Sequence, residues 1–165
     1  MKSFSRMRRQ PAFRSMAGIS MIEVLVAVLI LVFGVLGVAA LQMTALRNSQ
    51  SAMQHSQGVA LTYAMIDRMR ADALQGRIGS YNLGNLGSDL GGTGTTVWTC
   101  ALPDAGTLPQ NERREWMQQV QAELGPTACG IIDCDDANCA VGVRWDDSRG
   151  TAGDANQRLI TRTRL

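Results

Sequence analysis

The hydrophobic and polar positions divide the chain into three regions. An uncharged apolar run extends without interruption from Val24 to Leu41. From Gln42 to about Gln75, apolar residues recur at helical spacing, with polar residues between them. After a glycine-rich stretch, short apolar segments follow one another at intervals typical of strands and one further helix. The pattern predicts a long helix followed by a small α+β domain.

The apolar run predicts a membrane-spanning helix. Eighteen helical residues cover about 27 Å, so a span of about 22–42, with its flanking residues, matches a bilayer core of about 30 Å. The preceding residues carry five basic side chains and no acidic one. The positive-inside rule therefore predicts a cytoplasmic N-terminus and an exported remainder. The basic residues are Lys2, Arg6, Arg8, Arg9 and Arg14.

A single carboxylate, Glu23, lies at the start of this apolar run. An acid in a membrane helix is costly, and such a residue indicates a functional role with a specific partner. Two plainer interpretations remain open for the segment: an uncleaved signal-anchor, and a secretory signal cleaved after the small residues Val38-Ala39-Ala40. The plainer interpretation of Glu23 is a boundary residue whose side chain reaches toward the headgroups.

The stretch GISMIEVLVAVLI, Gly18 to Ile30, resembles the class III signal of type IV pilins and pseudopilins. The resemblance implies that a prepilin peptidase cuts after Gly18 and that the new N-terminal residue, Ile19, is N-methylated. It also implies that Glu23, at mature position five, pairs with the N-terminal amine of a neighbouring subunit in a filament. Ile19 departs from the phenylalanine that is most common at the first mature position.

Later segments extend the resemblance to PilV-type minor pilins. In order along the chain they are SMIEVLVAVLILVFGVLGVAALQ, WMQQVQAELG, VGVRWDDSRG and the terminal TRTRL. This resemblance implies a type IV pilin-like α+β fold: a long N-terminal helix, with a membrane-spanning and an amphipathic half, packed on a small antiparallel sheet with an additional short helix. It places the chain in the inner membrane with its C-terminal domain in the periplasm, and then in a pilus at the cell surface.

The resemblance further implies a role in initiating pilus assembly within a minor-pilin complex, which supports pilus display and twitching motility. The implied partners are the prepilin peptidase, a major pilin, other minor pilins and the inner membrane. Two alternatives remain open. One is a minor pseudopilin of a type II secretion system, and the other is a membrane-anchored periplasmic binding domain that never assembles.

Four segments follow from these patterns. They are a basic leader at 1–18, the long helix at 19–75, a glycine-rich loop at 76–96 and a small domain at 97–165. The glycine-rich stretch lacks the Gly-Lys-Ser/Thr of a phosphate-binding loop, and no strand precedes it, so it is interpreted as a flexible connection.

Within the small domain, the pattern predicts a helix from Pro109 to Leu124 that stops at Gly125-Pro126. Three strands are predicted around it, at Val97–Leu102, Ala140–Trp145 and Arg158–Leu165. About seventy residues form a thin core by themselves. We therefore expect this domain to pack on the part of the long helix that begins near Val59.

All four cysteines, Cys100, Cys129, Cys134 and Cys139, fall in the exported domain. An oxidising compartment favours two disulfides, for which three connectivities are possible. The pairs Cys100–Cys129 and Cys134–Cys139 are favoured because the second pair can cross-link a tight turn. Zinc-site spacing is missing, so no metal is predicted there.

The remaining polar residues give no catalytic pattern. The cluster Asp133, Asp135, Asp136 and Asn138 has oxygen ligands for Ca²⁺ but lacks EF-hand spacing, so a solvated turn is the favoured interpretation. Asp146-Asp147 is interpreted as the start of a turn. The only histidine, His55, is interpreted as an exposed helix residue. An enzyme is not predicted, and no cofactor is called for.

The net charge of +2 belongs mainly to the leader. Removal of residues 1–18 leaves eleven basic against fourteen acidic residues, a net charge of −3. The basic balance of the whole chain therefore does not indicate nucleic-acid binding.

Overall fold

The computed structural model describes residues 18–87, 95–150 and 152–165. The elements are, in order, α1 (Met21–Ala71), α2 (Ala73–Arg77), α3 (Leu108–Leu124), β1 (Cys129–Asp135), β2 (Asn138–Trp145) and β3 (Gln157–Arg164). The chain divides into two units, residues 1–41 and 42–165. Apart from Gly18, the predicted leader lies outside the described residues.

The first unit contains the apolar part of α1. This helix is long and apolar enough to cross a membrane, and none of its most apolar window is buried within the chain. The helix continues without a break through Gly34 and Gly37. A long N-terminal apolar helix is therefore present, as the sequence pattern predicted.

The predicted helix at 19–75 is shorter in the structure. Asp72 leaves helical geometry, with φ −125° and ψ 61°, and separates α1 from the five-residue α2. In α2, a Cβ added at Gly76 would lie 2.6 Å from Cδ1 of Leu165. The turn at Asp72 thus brings α2 against Leu165. The spacing of apolar residues near Asp72 does not predict this contact.

The second unit contains a three-stranded antiparallel sheet with the order β1-β2-β3. A tight turn at Asp136-Ala137 joins β1 to β2. Asp136 has a φ of 51°, in the left-handed region that Asp tolerates better than most residues. The predicted strands at 140–145 and 158–165 are present, each with slightly different ends. The predicted helix at 109–124 begins one residue earlier, with a capping box between Thr107 and Gln110.

One predicted strand is absent, and one observed strand was not predicted. The segment Val97–Leu102 forms no strand and makes only isolated bridges, from Val97 to Asn85 and from Thr99 to Gly130. Conversely, β1 was not predicted. Its residues are buried almost continuously because the sheet is covered on both faces, so the strand shows no polar–apolar alternation.

The main core lies on the sheet face that packs against α1 and α3. Gly58 of α1 allows close approach to the sheet, since a Cβ there would lie 3.4 Å from Cγ2 of Val143. The residues of α1 that are buried are Gly58, Leu61, Thr62, Met65, Ile66 and Met69. The second half of α1 therefore packs on the small sheet, as expected from the amphipathic pattern.

A smaller cluster, Leu86, Ile131 and Ala140, has Trp98 and Ile160 packed against it. Leu86 comes from the segment that was predicted as a flexible loop at 76–96. Tyr81 and Leu83 of the same segment are also buried, and Leu83 bridges to Ile132 of β1. The described beginning of this segment is thus part of the core, and the prediction of a simple loop is wrong there. Residues 88–94 lie outside the described residues.

Candidate functional site

The predicted cleavage point lies just before α1. Gly18, Ile19 and Ser20 are non-helical and exposed. A Cβ added at Gly18 would meet no atom of the described residues within 4 Å, apart from those of its chain neighbours. The backbone N–H of Glu23 donates to the carbonyl of Ser20 at 2.9 Å, which begins the helix. The bond between Gly18 and Ile19 is therefore on the surface and outside regular structure.

Glu23 lies in the first turn of α1. A carboxylate is favourable there because the first backbone N–H groups of a helix have no intrahelical acceptor and carry partial positive charge. Glu23 is exposed, as are the apolar side chains on either side of it, Ile22 and Val24. The structure thus places the carboxylate at the end of an apolar surface, four residues after Ile19.

This apolar surface continues over the whole predicted span. Between Val24 and Leu41, the exposed fraction of the large apolar residues ranges from 46% at Val32 to 72% at Leu41. Contiguous apolar patches of this extent mark contacts with lipid or with another protein. Added Cβ atoms at Gly34 and Gly37 meet nothing within 4 Å, so both glycines also present open helix surface.

The second unit contains the two disulfides, Cys100–Cys129 and Cys134–Cys139. This is the connectivity that the sequence favoured. Their loops span 29 and 5 residues, which in the loop-entropy model correspond to about 3–4 and about 2 kcal/mol of stabilisation. The second disulfide closes the β1–β2 turn, whereas the first joins the segment before α3 to β1.

Arg144 of β2 lies directly across the strand pair from Cys129. Its Nη2 atom is 3.3 Å from Sγ of Cys129 and 3.6 Å from Sγ of Cys100. The same guanidinium lies over the ring of Trp98, with Cζ 5.6 Å from the ring centroid. No local sequence pattern singles out Arg144, because only strand pairing brings it to the sulfur atoms.

Ser51, His55 and Asp147 also meet in the second unit. The Ser51 hydroxyl donates to Oδ2 of Asp147 at 2.6 Å, and Nε2 of His55 is 3.9 Å from the same oxygen. His55 also packs edge-on against Trp145. The Ser51 hydroxyl bonds the carboxylate and not the imidazole, so this arrangement does not activate a nucleophile. It is a polar packing contact between α1 and the loop after β2.

Asp147 is therefore more than the start of a turn. Only 4% of it is exposed, which no local sequence signal indicated. Beside it lies a cavity of about 530 Å³. The lining includes both polar residues, Arg47 and Arg149, and apolar ones, Met53 and Leu124, so the opening is of mixed polarity.

The acidic residues around the Cys134–Cys139 turn contact different partners. Asp133 belongs to β1, and its Oδ2 accepts a hydrogen bond from the N–H of Leu86 at 2.8 Å. Asp136 pairs with Arg77 at 3.1 Å. Within residues 18–87, 95–150 and 152–165, no group of three or more His, Cys, Asp or Glu side chains is placed to hold a metal ion. The prediction of a solvated turn is thus wrong for Asp133.

Tyr81 connects the segment after α2 to α3. Its buried hydroxyl donates to the carboxylate of Glu112. Burial raises the pKa of Tyr81 above its ordinary value of 10.0, and the hydrogen bond and negative charge of Glu112 raise it further. Next to it, the guanidinium of Arg113 donates to the carbonyl of Asn82, and burial lowers the pKa of Arg113.

The described residues therefore present an exposed apolar helix surface with an acid at its start. They also form a disulfide-bonded unit, in which a polar contact joins α1 to the loop after β2. Comparison of the chain with protein-family models, with curated proteins and with solved structures found no match.

Proposed function

We propose that this chain is a minor pilin of a type IV pilus, of the PilV type. In this proposal a prepilin peptidase removes residues 1–18, Ile19 is N-methylated, and the mature chain enters a filament through α1. The observation that carries the proposal is the combination of the GISMIEVLVAVLI motif with an exposed apolar helix that has Glu23 in its first turn.

The spacing between Ile19 and Glu23 supports a pairing role for the acid. Cleavage after Gly18 creates a positive amine at Ile19, four residues from the carboxylate. A charge-assisted hydrogen bond between such groups is strong, and it is costly to leave either group unpaired in apolar surroundings. A bond from Glu23 to the amine of a neighbouring subunit therefore sets the axial position of one helix against the next.

The exposed apolar surface of α1 suits two successive surroundings, first lipid and then other pilin helices. Before assembly, lipid covers residues 24–41, and in the filament the helices of other pilins replace the lipid. Contacts that join different surfaces of successive subunits, without closing into a ring, produce a helical filament. A subunit with a different C-terminal unit can start such a filament, which accounts for the proposed role in initiation with the major pilin and other minor pilins.

The fold supports the same proposal at a coarser level. A long N-terminal helix whose second half packs on a small antiparallel sheet is the arrangement expected of a type IV pilin-like protein. The location that belongs to this proposal is the inner membrane with the second unit in the periplasm, and then the pilus at the cell surface. Display of pili and twitching motility are the processes that the chain would support.

The test is the intact mass and N-terminal sequence of the full-length chain purified from membranes of a host that has a prepilin peptidase. We expect a mature chain that starts at N-methylated Ile19. The same chain from a host without the peptidase should keep residues 1–18. Recovery of Met1, or of a cut near Ala40, from the peptidase-containing host contradicts the proposal.

The variant Gly18→Leu provides a matched control. Beyond its chain neighbours, no atom of the described residues lies within 4 Å of the position of its Cβ, so the substitution changes the cleavage signal without disturbing their packing. It should remain uncut and should still insert in the membrane.

Co-purification of the mature chain with a major pilin then separates a pilus subunit from a pseudopilin of a type II secretion system.

A further inference from the structure

The two cysteines of the Cys100–Cys129 disulfide have different surroundings. Cys100 is an exposed residue in the segment before α3, whereas Cys129 is 2% exposed at the start of β1. Both cysteines of the other disulfide, Cys134 and Cys139, are buried. An external thiol that approaches the folded chain therefore reaches Cys100 before any of the other three cysteines.

Arg144 adds a chemical difference between the two sulfur atoms. Its Nη2 is closer to Sγ of Cys129, at 3.3 Å, than to Sγ of Cys100, at 3.6 Å. None of the ion pairs in the described part of the chain involves Arg144, so no carboxylate neutralises its guanidinium there. A guanidinium beside a cysteine stabilises the thiolate, and a thiol that forms its thiolate readily is the better leaving group in disulfide exchange.

We propose that the Cys100–Cys129 disulfide is a thiol–disulfide exchange site for a dithiol protein of the periplasm. In the first step, a thiolate of the partner attacks Sγ of Cys100. The bond between Cys100 and Cys129 breaks, a mixed disulfide forms at Cys100, and Cys129 leaves as a thiolate beside Arg144.

In the second step, the other thiolate of the partner attacks the partner's own sulfur in the mixed disulfide. Cys100 leaves as a thiolate, and the partner becomes a disulfide. The two electrons that reduce this chain thus come from the partner's dithiol, and the protons that the two thiols lose go to solvent or to the released cysteines. Reversal of the same steps closes the disulfide, with the Cys129 thiolate as the attacking group.

Exchange at this site changes how one segment is held. The disulfide joins the residues before α3 to β1, and Trp98 of that segment covers the small cluster around Ile131. The Thr99–Gly130 bridge and the hydrogen bond from Gln121 to the Cys100 carbonyl hold the same segment without involving the sulfur atoms. Opening therefore loosens the cover over one sheet face, while Cys134–Cys139 still closes the β1–β2 turn.

The test uses the oxidised full-length chain in detergent, with reduced glutathione as the probe. Samples are quenched with acid, alkylated and mapped by peptide mass spectrometry, and cleavage after arginine leaves Cys100 on a peptide of its own. We expect glutathione on Cys100, an alkylated free thiol at Cys129, and an intact Cys134–Cys139 pair. Glutathione found first on Cys129, Cys134 or Cys139 overturns the proposal.

The variant Arg144→Gln tests the role of the guanidinium. Reduction of Cys100–Cys129 should slow by about threefold or more, because the leaving Cys129 thiol has a higher pKa without the guanidinium and a thiol of higher pKa leaves more slowly. Arg144→Lys keeps the charge and should retain most of the rate. The Cys134–Cys139 pair is the internal control, and its rate should be the same in all three proteins. An unchanged Cys100–Cys129 rate in Arg144→Gln contradicts the role assigned to Arg144. The result does not depend on whether the chain assembles into a pilus.

Discussion

The hydroxyl of Ser51 donates a 2.6 Å hydrogen bond to the buried carboxylate of Asp147, across 96 residues of sequence. Ser51 lies on α1, and Asp147 lies just after β2. The backbone of Asp147 is held as well, since its N–H donates to the carbonyl of Asp154 and its carbonyl accepts from the N–H of Gly150. One side chain therefore joins the long helix to a loop that is itself closed by backbone hydrogen bonds.

Loss of this bond should weaken the second unit. Ser51→Ala leaves a buried carboxylate with one donor fewer, so we expect the free energy of unfolding to fall by about 1–3 kcal/mol. Thermal unfolding of the full-length chain in detergent, followed by circular dichroism, measures the change. Ser56→Ala is the matched control, because its exposed hydroxyl bonds only the carbonyl of Ala52, and it should stay within about 0.5 kcal/mol of the parent. Equal stability of the two variants would show that the Ser51–Asp147 bond adds nothing.

Gly130 is the position in β1 where any side chain should be harmful. A Cβ there would lie 2.6 Å from Cζ3 of Trp116 and 2.8 Å from Cη2 of the same ring, so the indole must move. We expect Gly130→Ala to lower the free energy of unfolding by about 1–3 kcal/mol. The same thermal unfolding experiment measures it.

Gly58 provides the opposite case on α1. Its added Cβ would make ordinary contacts of 3.4 to 3.7 Å with Val143, Trp145 and Leu159. Since alanine favours a helix over glycine by up to about 1 kcal/mol, Gly58→Ala should be neutral or stabilising. A Gly58→Ala variant that is as unstable as Gly130→Ala would mean that the helix lies closer to the sheet than described.

Tyr81 should cause the free energy of unfolding to fall at alkaline pH. Its folded-state pKa is raised above the unfolded value of about 10, chiefly by burial and then by the hydrogen bond to Glu112. The protonated Tyr81 hydroxyl therefore makes its full contribution to the free energy of unfolding below about pH 10. This contribution is lost as the pH rises through the folded-state pKa. Tyr81→Phe should be less stable than the parent at pH 8 by about 1 kcal/mol, because Glu112 loses its donor.

Between about pH 9 and 11, the free energy of unfolding should fall less in Tyr81→Phe than in the parent. Unfolding of both proteins across this range, at fixed ionic strength, gives the comparison. Parallel declines in parent and variant would assign the alkaline effect to other groups.

Glu23 should be needed for assembly but not for membrane insertion. Glu23→Gln keeps the size of the side chain and removes the charge that we propose pairs with the Ile19 amine of a neighbouring subunit. We expect normal amounts of the variant in the membrane fraction, and a loss of at least about tenfold in sheared pili, since a charged hydrogen bond of about 1.5–3 kcal/mol is removed. Asp104→Asn, which removes an exposed acid before α3, should assemble normally. Normal incorporation of Glu23→Gln would remove the basis for the filament role.

Local sequence features predicted the helices and strands whose apolar residues recur at one clear spacing, or whose ends are marked by a proline or glycine. The apolar run predicted the exposed part of α1, and Pro109 with Gly125 bounded α3 to within one residue. The alternation of Val141, Val143 and Trp145 gave β2 in the same way. These elements follow from the sequence because the signals lie within one helix or one strand.

The tertiary structure decided what depends on residues far apart in the chain. β1 is buried on both faces, so it has no alternation to recognise, and the segment around Tyr81 and Leu86 gains its place only by packing on that strand. Arg144 reaches the sulfur of Cys129 through strand pairing, and Asp147 is buried where it accepts a hydrogen bond from Ser51 of α1. Spacing along the chain predicts helices and strands, but burial and charge at a side chain are set by its neighbours in space, and those exist only once the sheet has formed against α1.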